Sequence, residues 1–194
     1  MWKELIDSFY QYVLTNWWED PIWIGTYLQF NAATYHLPCG KTLTLKLSNT
    51  NYIREMVAVE TAAYHGETAW GMRDILFDMT HNLQSVYIQG FIDQQLIGFI
   101  GLRQDADDVH ITNIVVHPTM QSQGIGHIFL YEAQFLAIQM QRQQLSLEVR
   151  LSNTRAQSFY KHHGFEIVAQ KPHYYKRGHE DALVMIWKWG EPHD

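Results

Sequence analysis

The chain has 194 residues, 46% of them hydrophobic, which is enough for one domain with a sizeable core and too few for two. With 20 acidic against 14 basic side chains the formal charge is −6, which disfavours binding to a nucleic-acid backbone and favours a cationic partner. The single cysteine, Cys39, excludes an internal disulfide and a cysteine-rich zinc site and fits a reducing, cytoplasmic compartment; no signal peptide and no apolar run of membrane-spanning length is visible, so no membrane partner is expected.

Residues 1–40 read as an aromatic-rich extension, holding Trp2, Trp17, Trp18 and Trp23 of the seven tryptophans and ending at Pro38-Cys39-Gly40. Leu5, Ile6, Phe9, Tyr12 and Val13 fall at helical spacing, which predicts a short amphipathic helix. Its apolar face suits packing on the domain, on a second copy or on a partner. It does not suit a membrane surface, because Lys3 is the only Lys or Arg before Lys41.

Residues 41–194 form the main domain. An alternating strand at 42–47 leads through a Ser48-Asn49 cap into a helix over 52–63, and a second helix is predicted over 71–80. Strands at 86–91 and 96–102 are joined by Asp93-Gln94-Gln95, short enough for a β-hairpin. After the acidic loop at 105–108 come a strand at 109–116 and a helix over 124–141, with Ile125, Ile128, Phe129, Ala133, Leu136 and Met140 on one face. The remainder reads as a strand at 145–149, a helix over 153–162 and strands at 165–169 and 183–187. Hairpin strands followed by helix-linked strands predict an α/β fold, its sheet mixed and mostly antiparallel with helices on both faces.

Gln121-Ser122-Gln123-Gly124-Ile125-Gly126 lies between a β-branched strand and a helix start, where free N–H groups and the helix dipole favour an anion. Glycine at 124 and 126 lets a phosphate approach the backbone, and Gln121 and Gln123 can donate further bonds; the plainer alternative is glycine required only for packing. Glu148, Asn153 and Tyr160 follow. Asn153 and Tyr160 are seven residues apart, two helical turns, and so share a helix face. Each residue also has an ordinary structural use: Asn153 as a helix cap, Tyr160 as core, Glu148 as the partner of Arg150 or a lysine. His162 and His163 are adjacent on a helix and point apart, so no metal site is expected.

The run Asn113-Ile114-Val115-Val116-His117-Pro118 with Gln121-x-x-Gly124-x-Gly126 resembles the acetyl-CoA-binding motif of the GCN5-related N-acetyltransferases. Later segments, Leu147-Glu148-Val149-Arg150-x-Ser152-Asn153, Phe159-Tyr160-x-x-x-Gly164-Phe165, Tyr174-Tyr175 and Gly178 to Ala182, resemble the RimI-type branch, which acetylates the N-terminal alanine of a ribosomal protein. The likeness covers roughly residues 42 to 189, with Glu60 to Tyr64 and Trp70 included.

The resemblance implies the family's fold and a direct acetyl transfer from acetyl-CoA, without a metal, to the N-terminal amine of a basic protein, here a small-subunit ribosomal protein. It implies Glu148 as general base and Tyr160 as general acid. The cofactor would lie on Ile114, Val115, Val116, Gln121, Ser122, Gln123, Gly124, Ile125 and Gly126, with Asn153 on its pantetheine arm. Tyr174, Tyr175, Glu180 and Asp181 would border the acceptor. His110 stands where many relatives carry Glu, which raises the question of a proton relay. Transfer to a lysine, polyamine or small-molecule amine is the main alternative, and a non-catalytic acyl-CoA-binding module is the second.

Overall fold

The computed structural model describes residues 28–47, 50–64, 66, 71–82 and 84–188. The helix expected near the N-terminus, the Ser48-Asn49 cap and Trp70 lie outside the described residues. Numbered along the described chain, the elements are β1 (Thr34–His36), β2 (Thr42–Leu47), α1 (Ile53–Ala63), α2 (Met72–His81), β3 (Ser85–Ile92), β4 (Gln95–Gln104), β5 (Asp108–Val116), α3 (Ile125–Gln139), β6 (Gln144–Arg150), α4 (Thr154–His162), β7 (Glu166–Tyr175) and β8 (Glu180–Lys188).

The strands form one sheet in the order β1-β2-β3-β4-β5-β6-β8-β7. Every neighbouring pair is antiparallel except β5 and β6, which run parallel with α3 as their crossover. Alternating side chains cover both faces. Val86, Ile88, Ile100, Val109 and Ile111 join Phe129, Leu130, Ala133 and Leu136 of α3, whereas Tyr87, Phe91, Phe99 and Val115 join Met56 and Val59 of α1 and Ile75 of α2. The β3–β4 turn holds two residues, Asp93 and Gln94, both at positive φ (50° and 64°), as a type I′ hairpin turn demands. Gln95 already pairs with Ile92.

Two strand boundaries differ from the expectation. β7 runs on to Tyr175 through Gln170-Lys171-Pro172-His173, which has no apolar alternation, and β8 starts earlier, at Glu180. β7 is an edge strand exposed along nearly all its length, so backbone pairing to β8 defines it rather than a buried face. Pro172 falls where the register slips between Lys171 and Tyr175, the kind of position a sheet tolerates.

β1 lies within the segment read as an extension and pairs with β2. It is tied down by Glu132, a buried carboxylate of α3 that accepts the N–H groups of Asn31 (2.9 Å) and Ala32 (3.1 Å) and the Tyr35 hydroxyl.

Candidate active site

The register between β5 and β6 ends at Ile111 and Leu147. Beyond it β5 continues to Val116 on β4, and β6 continues to Arg150 on β8, so the middle of the sheet parts. A bulge marks the same place: Ile111 faces Leu102 and Asn113 faces Gly101, leaving Thr112 as the extra residue. Gly101 permits it, since a Cβ there would stand 2.5 Å from both Thr112 Oγ1 and Asn113 Oδ1. Ile114, Val115 and Val116 therefore line the parted edge with polar backbone, which suits an extended amide-bearing arm.

At the end of β5 the chain turns into α3. Gly124 is the N-cap, at φ 83°, a conformation that favours glycine, and the first intrahelical bond runs from Ile128 N–H to Gly124 C=O at 3.1 Å. The N–H groups of Ile125, Gly126 and His127 thus have no acceptor within the helix. A Cβ on Gly124 would meet no atom within 4 Å, and one on Gly126 would meet the Phe159 ring at an ordinary 3.6 Å. Crowding within the protein therefore does not require either glycine; the backbone conformation at Gly124 does favour one, and the turn is open, with the donor chemistry to suit a diphosphate. Ser122 also sits at positive φ, and the Gln121 amide folds back onto the Val116 carbonyl at 3.1 Å.

Glu148 is the first β6 residue past the last β5–β6 pair, and its side chain is only 10% exposed. His110 Nε2 lies 3.0 Å from Oε2, Lys171 Nζ 2.6 Å from Oε1, and the Tyr174 hydroxyl donates to Oε2 at 3.3 Å. Burial alone would raise this carboxyl, but hydrogen bonds from His110 and Lys171, with their charges, outweigh it and hold the carboxyl down at about 2. Lys171 is raised in turn, chiefly by its bond to Glu148.

Tyr160, 7% exposed, packs against Phe159 and Phe165 near the phenols of Tyr64 and Tyr175. Burial first, then those two phenols, push its hydroxyl well above the ordinary value, so it stays protonated at the expense of acidity. Asn153 caps α4, its Oδ1 accepting Ala156 N–H at 3.0 Å, and its NH₂ group is not used in the cap.

The four residues expected to border the acceptor divide. Tyr174 reaches Glu148 directly, while Tyr175 donates to the Glu148 carbonyl at 3.2 Å beneath the Arg150 guanidinium, 4.1 Å from its ring. Glu180 accepts from Ser152 N–H (2.7 Å) and Arg150 (2.9 Å), and Asp181 accepts from His173 N–H (2.9 Å) and Gln170 (2.7 Å). Asp181 thereby braces the β7–β8 hairpin, and Glu180 ties the start of β8 to the end of β6 and the turn after it.

Sequence reading missed Lys171, Ser146 and Asp108, which complete the surroundings of Glu148 and His110. For Asp108 and Ser146 the signal is the alternation Asp108-x-His110 on one strand and Ser146-x-Glu148 on the next, which becomes meaningful only once the strands are known to be neighbours; Lys171, on β7, carries no such signal. His127 was missed too. Its Nδ1 lies 2.7 Å from His163 Nε2, joining the first turn of α3 to the end of α4.

Residues 53–165 match the family model described as the acetyltransferase (GNAT) family. Over 141 residues, 73% of this chain and 90% of the relative, the sequence is 29% identical to a putative ribosomal protein bS18-alanine N-acetyltransferase of Bacillus subtilis. Over 96 residues, 48% of this chain and 65% of the relative, it is 35% identical to the ribosomal protein bS18-alanine N-acetyltransferase of Haemophilus influenzae. Among solved structures, the ribosomal-protein-S18-alanine N-acetyltransferase of Escherichia coli superposes with a TM-score of 0.69 over 78% of this chain and 97% of that one; at 23% identity the likeness is one of fold.

Proposed function

The chain belongs to the GNAT acetyltransferase family, and from that premise we propose that it moves the acetyl group of acetyl-CoA to the N-terminal α-amine of a protein, an alanine at the start of a small-subunit ribosomal protein. The observation that carries this reading is Glu148, set where β5 and β6 part and already gripping an ammonium, that of Lys171, at 2.6 Å.

The bound thioester supplies an activated acyl carbon; the chain supplies everything else. The amides of Ile125, Gly126 and His127 hold the diphosphate, and the backbone of Ile114, Val115 and Val116 lines up the arm beside the Glu148 carboxylate. A backbone N–H near Val116 polarises the carbonyl. Glu148 receives the amine's proton and Tyr160 returns one to the departing sulfur. A carboxylate held at about 2 is a weak base, so an α-amine, near 8 in water, suits it better than a lysine, near 10.4. The relatives' names point to the same acceptor.

A second reading, transfer to a small-molecule or lysine amine, is favoured by Glu180 and Asp181, whose carboxylates are engaged by Arg150, Ser152, Gln170 and His173 of the chain itself rather than left for a basic chain. A cytoplasmic location accords with a ribosomal acceptor, and no helix among the described residues is long and apolar enough to cross a membrane. Of the segment read as an extension, β1 belongs to the sheet, and the residues before it would serve for docking, on a second copy or a partner.

Peptides beginning with a free or a blocked α-amine, each also containing lysine, are incubated with the protein and acetyl-CoA, and the acetyl group is located by mass spectrometry. Acetylation confined to the free α-amine is expected. Modification of lysine alone favours the second reading, and firm coenzyme A binding without turnover points to a non-catalytic module.

A further inference from the structure

Lys171 reaches the candidate base from two strands away. Glu148 on β6 shares a row of the sheet with Val184 on β8 and Ala169 on β7, and Lys171, two residues on from Ala169, lies on the same face. The row of Lys171 itself holds the buried Ala182 and, on β6, Arg150. The lysine side chain therefore runs back over β8, where Ala182 presents only a methyl group, and meets the glutamate across two strand spacings, about 10 Å. Its Nζ ends 2.6 Å from Oε1 and 5.3 Å from the centre of the Tyr174 ring, whose hydroxyl holds Oε2 at 3.3 Å. The lysine is half exposed at this point.

An ion pair open to water on one side adds little to strands already joined by the β6–β8 and β8–β7 ladders. Its chemistry is more telling. A primary amine stands within hydrogen-bond distance of the carboxylate that, on the reading above, takes the proton of the acceptor amine, and it stands there before any acceptor arrives.

The geometry points to Lys171 as an internal acceptor: with acetyl-CoA bound and no substrate amine present, the chain acetylates its own Lys171 Nζ. The inference rests on the acyl-transfer reading above and adds a modification site to it. The ammonium first gives a proton to Glu148, and Nζ keeps the electron pair. That pair forms the N–C bond to the acetyl carbonyl carbon while the C–S bond breaks and its electrons leave with sulfur. Nζ then loses a second proton and sulfur gains one, so the products are the acetamide, the free thiol and one proton released to water. Nothing is oxidised or reduced.

The surrounding charges set the pace. The groups facing Nζ are Glu148 on β6, Tyr174 on β7 and Arg103 on β4, with His110 at the other Glu148 oxygen. The bond to Glu148 outweighs burial and Arg103 and raises the ammonium above its ordinary range, so few chains hold the neutral amine near pH 7. Self-transfer is therefore slow and happens once per chain, and an α-amine near 8 outruns it. Proximity offsets part of the deficit, because amine and base need no encounter. The acetamide carries no charge and releases Glu148 Oε1, so the modification ends the competition between Lys171 and the acceptor.

Peptide mapping by mass spectrometry, after incubation with acetyl-CoA alone, tests this. Lys171 should gain an acetyl group about tenfold or more faster than the exposed Lys161 and Lys176 of the same chain, and faster than Lys171 of the chain unfolded in urea, which measures uncatalysed transfer. The fraction modified per minute should be independent of protein concentration and rise about tenfold per unit from about pH 7 to 9. It should fall to the uncatalysed rate in Glu148→Gln and under a saturating peptide with a free α-amine. Prior incubation with acetyl-CoA should lower the peptide's KM about threefold in the wild type and leave that of Lys171→Arg where it was. Lys171 modified no faster than the other lysines, or equally fast in Glu148→Gln, overturns the inference, as does a rate that grows with protein concentration. A KM unmoved by the modification overturns the competition. A peptide acetylated while Lys171 stays bare strikes the inference alone. Lys171 acetylated while no peptide is strikes the α-amine assignment alone, and acetylation of neither strikes both.

Discussion

The turn at residues 121–127 presents peptide groups, whereas the wall around Glu148 is made of side chains from β5, β6 and β7. The turn needs only a glycine N-cap at positive φ and a helix that follows it, all within one short stretch of chain. The wall needs His110, Glu148, Lys171 and Tyr174, which span more than sixty residues and meet only because the strands pair as they do. A surface of backbone is hard to damage by substitution except where φ forbids the new residue. A surface of side chains fails one group at a time, so the two regions should separate cleanly in mutant kinetics.

The largest effect is expected on the side-chain wall. Glu148→Gln should lower kcat by about 10²–10⁴-fold, with acetyl-CoA affinity by calorimetry nearly unchanged. An equal loss of affinity would break the comparison by showing that Glu148 builds the donor side as well. Tyr160→Phe should cost kcat about 10- to 100-fold, again without loss of cofactor affinity. The reverse pattern is expected of Gly124→Val. A β-branched residue at φ 83° brings strain of about 1–2 kcal/mol into the turn, so acetyl-CoA should bind about tenfold more weakly while kcat at saturation holds. Lys171→Met removes the ammonium that competes for Glu148 Oε1, and the KM of the acceptor amine should fall about threefold in steady-state assays.

The smallest effect is on stability in acid. Glu148 is held at about 2 in the fold against an ordinary 4.5, so its ionised form stabilises the fold above about pH 4.5. That contribution is lost as the pH falls from 4.5 through 2. Urea titrations of the wild type and Glu148→Gln should therefore differ most above pH 5 and converge toward pH 2. A constant gap across that window would mean the His110 and Lys171 contacts do not depend on the Glu148 charge.

Most of the fold was legible because its signals are local. The strand at 42–47, the β3–β4 hairpin and the helices that start at Ile53, Met72, Ile125 and Thr154 all carry their own periodicity or cap. β7 was cut short because Gln170-Lys171-Pro172-His173 has no buried face to pattern it; β8 supplies the reason for it to be a strand. Glu148, Asn153 and Tyr160 were put forward as candidates by spacing and by resemblance. That Asn153 caps α4 and that Glu148 pairs with a lysine were open alternatives, and the fold uses both.

Local chemistry in the sequence determined the turn of open amides, because a glycine N-cap before an amphipathic helix exposes its amides wherever that helix packs. It also determined which residue types were available for proton transfer. Only the tertiary structure decided how they are connected. Asp108, Ser146, His110 and Glu148 become one hydrogen-bonded ladder through a parallel register, and Lys171 arrives from the far edge of the sheet by way of β8. A side chain's proton affinity is set by the charges and donors within a few ångströms of it, and which residues those are depends on strand order, which no local pattern in the chain encodes.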